Sequence, residues 1–172
     1  MIPAPSHRRT GMPKTTAIIP NLWFDTQALE AAEFYCSVFP NSSIDHVAHH
    51  TEAGPGAPGT VLTVDYTLDG NRFTNINGGP QFSFSPAVSF LVECEDQAEV
   101  DRYWDALLAG GGEEVQCGWL TDRFGLSWQV VPKGFVELME SGDIEAIDRA
   151  MRAMFEMKKL DLATLQAAAK GE

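Results

Sequence analysis

The chain has 172 residues, 44% of them hydrophobic and 21% charged, which is ordinary globular usage and excludes a disordered or fibrous class. Twelve Lys and Arg stand against 24 Asp and Glu, and the resulting formal charge of −12 repels phosphate backbones and anionic lipid, so no nucleic-acid or membrane partner is expected. Cys36, Cys94 and Cys117 are odd in number and lack C-x-x-C spacing, which writes neither a disulfide framework nor a zinc site and fits a reducing, cytoplasmic compartment.

Residues 1–15 hold two arginines, prolines and a serine but no apolar leader core, and are expected to form a flexible tail. Thr16 to Phe24 reads as a strand, edge-like or bulged at Pro20. Asp25 and Thr26 are N-cap types for a helix carrying Leu29, Ala32, Phe34, Cys36, Val38 and Phe39, which Pro40 and Asn41 stop. Ser42 to His50 reads as a strand, Gly54 to Gly59 as a loop, and Val61 to Leu68 with Arg72 to Asn77 as a hairpin about Asp69-Gly70-Asn71. That order is β-α-β-β-β, over residues 16–85.

The order then starts again over residues 86–133. Ala87 to Glu93 alternates as a half-buried strand. Asp96 and Glu99 sign a capping box, Val100, Tyr103, Trp104, Leu107 and Leu108 form an apolar stripe, and Gly110 to Gly112 end the helix. Glu113 to Thr121 and Leu126 to Pro132 complete the strands. Residues 134–172 turn helical, at Phe135 to Met139, Ile144 to Met157 and Leu160 to Ala169. There Met139, Ile147, Met151, Met154, Phe155 and Leu160 form a stripe that packs on the domain or on a second subunit.

Several strings carry a resemblance. Ile19-Pro20-Asn21-Leu22-Trp23-Phe24-Asp25, Ala32-Glu33-Phe34-Tyr35, Gly118-Trp119-Leu120, Asp122-Arg123-Phe124-Gly125 with Trp128-Gln129, and Met157-Lys158-Lys159-Leu160-Asp161 resemble the PhnB-like branch of the vicinal oxygen chelate superfamily. That branch is labelled 3-demethylubiquinone-9 3-methyltransferase, and the match runs from about Thr16 to Ala169. The resemblance implies an α+β fold of two βαβββ modules forming a curved mixed sheet, glyoxalase-like, with C-terminal helices added. It also implies a homodimer and a small-molecule ligand held in the sheet cup.

Superfamily enzymes hold a divalent metal with His, Gln or Glu from the first and fourth strand of each module. Those positions fall near Ile18 or Ile19, Thr74, Ala87 and Gln129, and a one-residue slip brings in Pro20, Asn75, Val88 or Trp128. Only Gln129 is a ligand type, so no metal and no other cofactor is expected. His46, His49 and His50 lie on or beside one strand, where residues three apart point to opposite faces. The glycines also do not open a helix after a strand as an S-adenosylmethionine turn requires. Gly110 to Gly112 follow a helix, and Gly54 to Gly59 join strands.

Alternation selects Asn21, Trp23, Asn75, Asn77, Ser89, Leu91, Ser127 and Gln129 as the inward-facing set, with Trp119 at the rim. Each either contacts a neutral or weakly polar ligand or fills a packed sheet. Trp128, of opposite parity to Gln129, belongs to the core under a helix. Cys117 is the best nucleophile candidate, and Glu93 or Asp122 the candidate general base, against capping or surface roles. The function expected is small-molecule binding in a metal-free cup. The alternatives are an enzyme (isomerase, lyase or methyltransferase) and a regulatory dimer whose C-terminal helices are the working surface.

Overall fold

The computed structural model describes residues 18–172, so the tail assigned to residues 1–15 lies outside the described residues. The strongest turn signal behaves as its chemistry dictates: Asp69 and Gly70 both take positive φ, 44° and 75°, the pairing a two-residue hairpin needs. It joins β3 (Val61–Leu68) to β4 (Asn71–Asn77) in antiparallel register, with β2 (Ser43–His49) beyond β3. β1 (Asn21–Phe24) returns parallel to β4, which gives a four-stranded sheet of order β1-β4-β3-β2 with α1 (Ala28–Val38) across one face.

The second module repeats this plan with β5 (Ser89–Cys94), α2 (Gln97–Leu108), β6 (Glu113–Glu114), β7 (Trp119–Thr121) and β8 (Ser127–Pro132), in the order β5-β8-β7-β6. The stretch expected as one strand from Glu113 to Thr121 is two. Cys117 and Gly118, at φ 63° and 80°, turn the chain between them, and this completes the βαβββ count. The fold is α+β and glyoxalase-like, with its strands in two separate mixed sheets rather than one continuous sheet.

Parity decides how the modules meet. Leu22, Phe24, Val64, Tyr66 and Phe73 of the first sheet and Phe90, Leu120, Trp128 and Val130 of the second share one core with both helices. Phe39 stacks on Tyr103 and Trp128 at ring separations of 5.2 and 5.4 Å, and Phe73 meets Phe90 edge-on at 5.3 Å. The helix-bearing faces of both sheets are therefore turned toward each other, and the other face of each sheet is left open.

The helix starts follow different rules. Asp96 caps α2 as expected, accepting from Glu99 N–H at 2.9 Å, while Glu99 accepts from the Glu95 N–H one residue earlier at 3.0 Å. Neither Asp25 nor Thr26 caps α1. The N-cap falls on Gln27, one residue beyond Thr26, and Asn77 of β4 reaches over to accept the Ala28 N–H at 2.8 Å.

After β8 come α3 (Lys133–Glu140), α4 (Ile144–Phe155) and α5 (Leu162–Lys170), with a smaller core of Val131, Phe135, Ala146, Ala150, Leu160, Leu165 and Ala169. Leu160 is buried in that core rather than on a docking stripe. This unit is tied to the second module by backbone bonds from Cys117 N–H to Met157 O and from Gly118 N–H to Lys158 O. Gln97 adds to the tie, donating to Leu160 O and accepting from Leu162 N–H. No described helix is long and apolar enough to cross a membrane.

Candidate functional site

The two open faces follow from strand register. On the first sheet, Asn21 and Trp23 pair with Thr74 and Ile76, so those four side chains share the open face. Trp23 is half-buried and fixed: its Nε1 donates to Gly79 O at 2.9 Å, Phe82 meets its ring edge-on at 5.1 Å, and Gly78 lies so close beneath the ring that a Cβ has no room. Beside it an open recess of about 890 Å³ is walled by Val61, Ile76, His50 and the 55–60 loop. Gly56 presses against the His50 ring, and His50 Nδ1 is buried without a hydrogen-bond partner among the described residues.

On the second sheet the register Ser89↔Ser127, Leu91↔Gln129 and Trp119↔Gln129 gathers Ser89, Leu91, Trp119, Ser127 and Gln129 on the open face. Gln129 Nε2 donates to Ser89 Oγ at 2.8 Å, and among the described residues the Gln129 carbonyl oxygen accepts no hydrogen bond. Leu91 is 54% exposed, a large apolar side chain left uncovered among the described residues.

The inward-facing set expected from the sequence is thus divided. Asn21 and Trp23 lie on one open face, Ser89, Leu91, Trp119, Ser127 and Gln129 on the other, and the two faces sit on opposite sides of the shared core. Asn75 and Asn77 fall on neither. β4 is read one residue out of phase by the sequence argument, and Phe73, fully committed to the core, carries Asn75 and Asn77 to the helix side with it. Asn75 is completely buried, donating to Ala28 O at 2.9 Å and accepting from Tyr66 O–H at 3.1 Å, while Asn77 caps α1 and donates to Val61 O.

The chemical candidates separate in the same way. Asp122 is neither a surface group nor a free base: it is 3% exposed and holds four donors. Its Oδ2 accepts from Tyr35 O–H at 2.9 Å and Trp128 Nε1 at 2.8 Å, and its Oδ1 from the N–H groups of Phe124 at 2.8 Å and Leu126 at 3.1 Å. Burial pushes its carboxyl above the usual range even though these bonds pull it down, and burial with the Asp122 charge beside it pushes the Tyr35 hydroxyl up. Trp128 is in the core, as its parity requires.

Glu93 is exposed at the end of β5. Cys117 sits half-buried in the β6–β7 turn, and among the described residues its thiol makes no hydrogen bond to a base. Cys94 is fully buried, and burial pushes its thiol up to about 12, which keeps it protonated and inert.

The open faces do not suit a chelated divalent ion. The donors aligned on the first and fourth strands are an Asn amide, a Thr hydroxyl, Ser hydroxyls, one Gln and, at the end of β5, the single carboxylate of Glu93, and no three His, Cys, Asp or Glu side chains converge among the described residues. They do not suit S-adenosylmethionine either. The strand-to-helix turns, 25–27 and 95–96, contain no glycine and carry Asp25, Glu95 and Asp96, a poor cradle for a nucleoside.

A family model described as 3-demethylubiquinone-9 3-methyltransferase matches residues 16–131, from the approach to β1 to the end of β8. Among solved structures, the PhnB protein of Bacillus cereus is similar at 34% identity, covering 68% of this chain and 99% of its own, with a TM-score of 0.62. A Pseudomonas aeruginosa protein shares the fold at 19% identity, covering 69% of this chain and 98% of its own, with a TM-score of 0.57. No curated protein matches.

Proposed function

The chain belongs to the 3-demethylubiquinone-9 3-methyltransferase family, a PhnB-like branch of the vicinal oxygen chelate superfamily, and from that premise we propose that it is a homodimeric protein that binds a small, neutral or weakly polar organic molecule without metal. The observation that carries this reading is the make-up of the open sheet faces. They offer a fixed indole at Trp23, aliphatic surface at Leu91 and Ile76, and an amide acceptor at Gln129, while the carboxylates that share these faces are set apart, Asp65 engaged by the Thr74 hydroxyl and Glu93 at the end of β5. Such a surface recognises by stacking and single hydrogen bonds rather than by acid–base chemistry.

The net charge of −12 argues against nucleic acid or an anionic membrane surface as the partner. Three free cysteines, one of them fully buried and protonated, suit a reducing cytoplasmic setting. The methyltransferase label finds no support in the turns available to a methyl donor.

Native mass spectrometry of freshly purified protein, before and after a chelator, tests the proposal. The expected result is a metal-free dimer whose organic adduct, when one co-purifies, is lost from Trp23→Ala or Gln129→Ala. A stoichiometric metal removed by the chelator overturns it.

A further inference from the structure

The family match ends at residue 131, so the three C-terminal helices lie outside the stretch shared with the family model, and α4 carries a surface that its own fold leaves unused. One side of α4, Ala146 and Ala150, packs into the small core. Centred about 125° around the helix at 100° per residue lies a second apolar stripe, Ile144, Ile147, Met151 and Phe155, of which Ile147 and Met151 are half-buried and Met151 also touches the small core. Ile144 is 73% and Phe155 59% exposed, although both are large side chains on a well-formed helix. Asp148 and Arg152 flank the stripe on the same side, paired within the helix at 2.8 Å and both largely exposed.

This stripe is self-complementary. We propose that α4 is the contact through which two copies of this chain associate, packed antiparallel about a two-fold axis that passes between positions 149 and 150. That operation places Ile144 level with Phe155 of the second copy and sets Ile147 within one residue's rise of Met151. It likewise brings Asp148 within one residue's rise of Arg152 of the second copy, twice per interface, so each intrahelical ion pair becomes part of a four-membered charge network.

The charge distribution favours the same place. Of the net −12, ten negative charges fall in residues 1–132 and only two in residues 133–172, so two copies repel least when they meet through the C-terminal helices. A 12-residue helix is about 18 Å long, and one stripe of that length buries less than the roughly 800 Å² per partner of a standard interface. The association is therefore weak and concentration-dependent. The inference rests on the homodimer reading above and assigns its contact surface; the open sheet faces remain available to ligand.

Sedimentation velocity of the full chain over a wide concentration range, with two charge variants and one apolar variant, decides the matter. Phe155→Glu raises the dimer dissociation constant at least about tenfold while leaving the circular dichroism unchanged. Asp148→Arg and Arg152→Asp each give a monomer, because like charges then face across the axis. Mixed in equal amounts the two variants recover a dimer, since each Arg pair of one chain meets the Asp pair of the other. Helix stability alone cannot produce that recovery, because neither chain's internal pairing changes on mixing.

Failure of the mixture to associate, or a wild-type dimer untouched by Phe155→Glu, overturns the α4 assignment while leaving the homodimer standing. A wild-type chain that stays monomeric at every concentration removes both.

Discussion

Asp122→Ala is the substitution that tests most directly how the two modules are held together. It leaves the Tyr35 hydroxyl, the Trp128 indole N–H and the N–H groups of Phe124 and Leu126 without the acceptor they share. Each stranded buried donor costs about 1–3 kcal/mol where water cannot reach it. Against that stands the relief of a buried charge, whose cost is evident from the upward displacement of the Asp122 carboxyl by burial. With part of the lost bonding replaced by water at the 122–126 turn, a net loss of about 3 kcal/mol is expected.

Asp122→Asn is the control. Its amide oxygen can still serve Phe124 and Leu126, but its NH2 then faces the Trp128 N–H, donor against donor, and the loss is smaller, about 1–2 kcal/mol. The pH dependence has a definite sign. Because the folded carboxyl is raised, its contribution is full below the ordinary aspartate range and is lost as pH rises through the raised value. The gap between wild type and Asp122→Asn therefore narrows over that window and is flat above it. Urea unfolding followed by tryptophan fluorescence measures all three chains. A loss below about 1 kcal/mol for the Ala variant, or a gap that widens with pH, refutes the reasoning.

Three further outcomes are expected. Asn75→Leu, which abandons the Ala28 carbonyl and the Tyr66 hydroxyl in a fully buried site, lowers stability by about 2–4 kcal/mol in urea titration and leaves any co-purified adduct in place, since Asn75 is not on an open face. Gly118→Ala forces a side chain into a φ of 80° with the Leu160 side chain and the Val130 carbonyl both 3.0 Å from the new Cβ, and costs about 1–3 kcal/mol, visible as faster amide exchange at residues 157–162. Asp101 and Asp161 are held below the usual carboxylate range, chiefly by hydrogen bonds from Lys159 and at Thr164, so the stability they confer is present above that range and lost as pH falls through it. Hydrogen exchange on acidification thus opens the C-terminal helices before the shared core.

The residues that announced the fold were those whose local chemistry admits few alternatives. Asp69-Gly70 demanded a hairpin, Asp96 with Glu99 demanded a helix start, and the β5 alternation survived intact because every second residue met the core. What the sequence hid was long-range. Asn77 caps a helix 49 positions earlier and Asp122 binds Tyr35 across 87, so neither role has a local signature. The phase of β4 was misread because Asn75 looks like a ligand contact and Phe73 like either face; only the packing of Phe73 on Tyr66 and Phe90 fixes it. The division of the open set into two faces likewise depends on how the modules pack. Phe39, Tyr103 and Trp128 determine that, and a strand-by-strand reading does not contain it.

The disposition of polar groups bears on what kind of protein this is. The buried carboxyl whose range burial raises, Asp122, has all four of its accepting positions occupied by structural donors, and the fully buried amide, Asn75, is used at both ends. A general base must be free to take a proton from a substrate, and a buried group whose lone pairs are all engaged within the core cannot do so without dismantling it. The Thr74 hydroxyl donates to Asp65 at 2.6 Å and Ser127 is only 1% exposed, so the neutral groups left with spare bonding capacity are the Gln129 carbonyl and the edges of Trp23 and Trp119. These are weak acids and bases at any physiological pH. Of the carboxylates that share the open faces by register, Asp65 accepts from the Thr74 hydroxyl at 2.6 Å and Glu93 stands exposed at the end of β5, so recognition by shape and single hydrogen bonds is what the remaining groups of these faces offer.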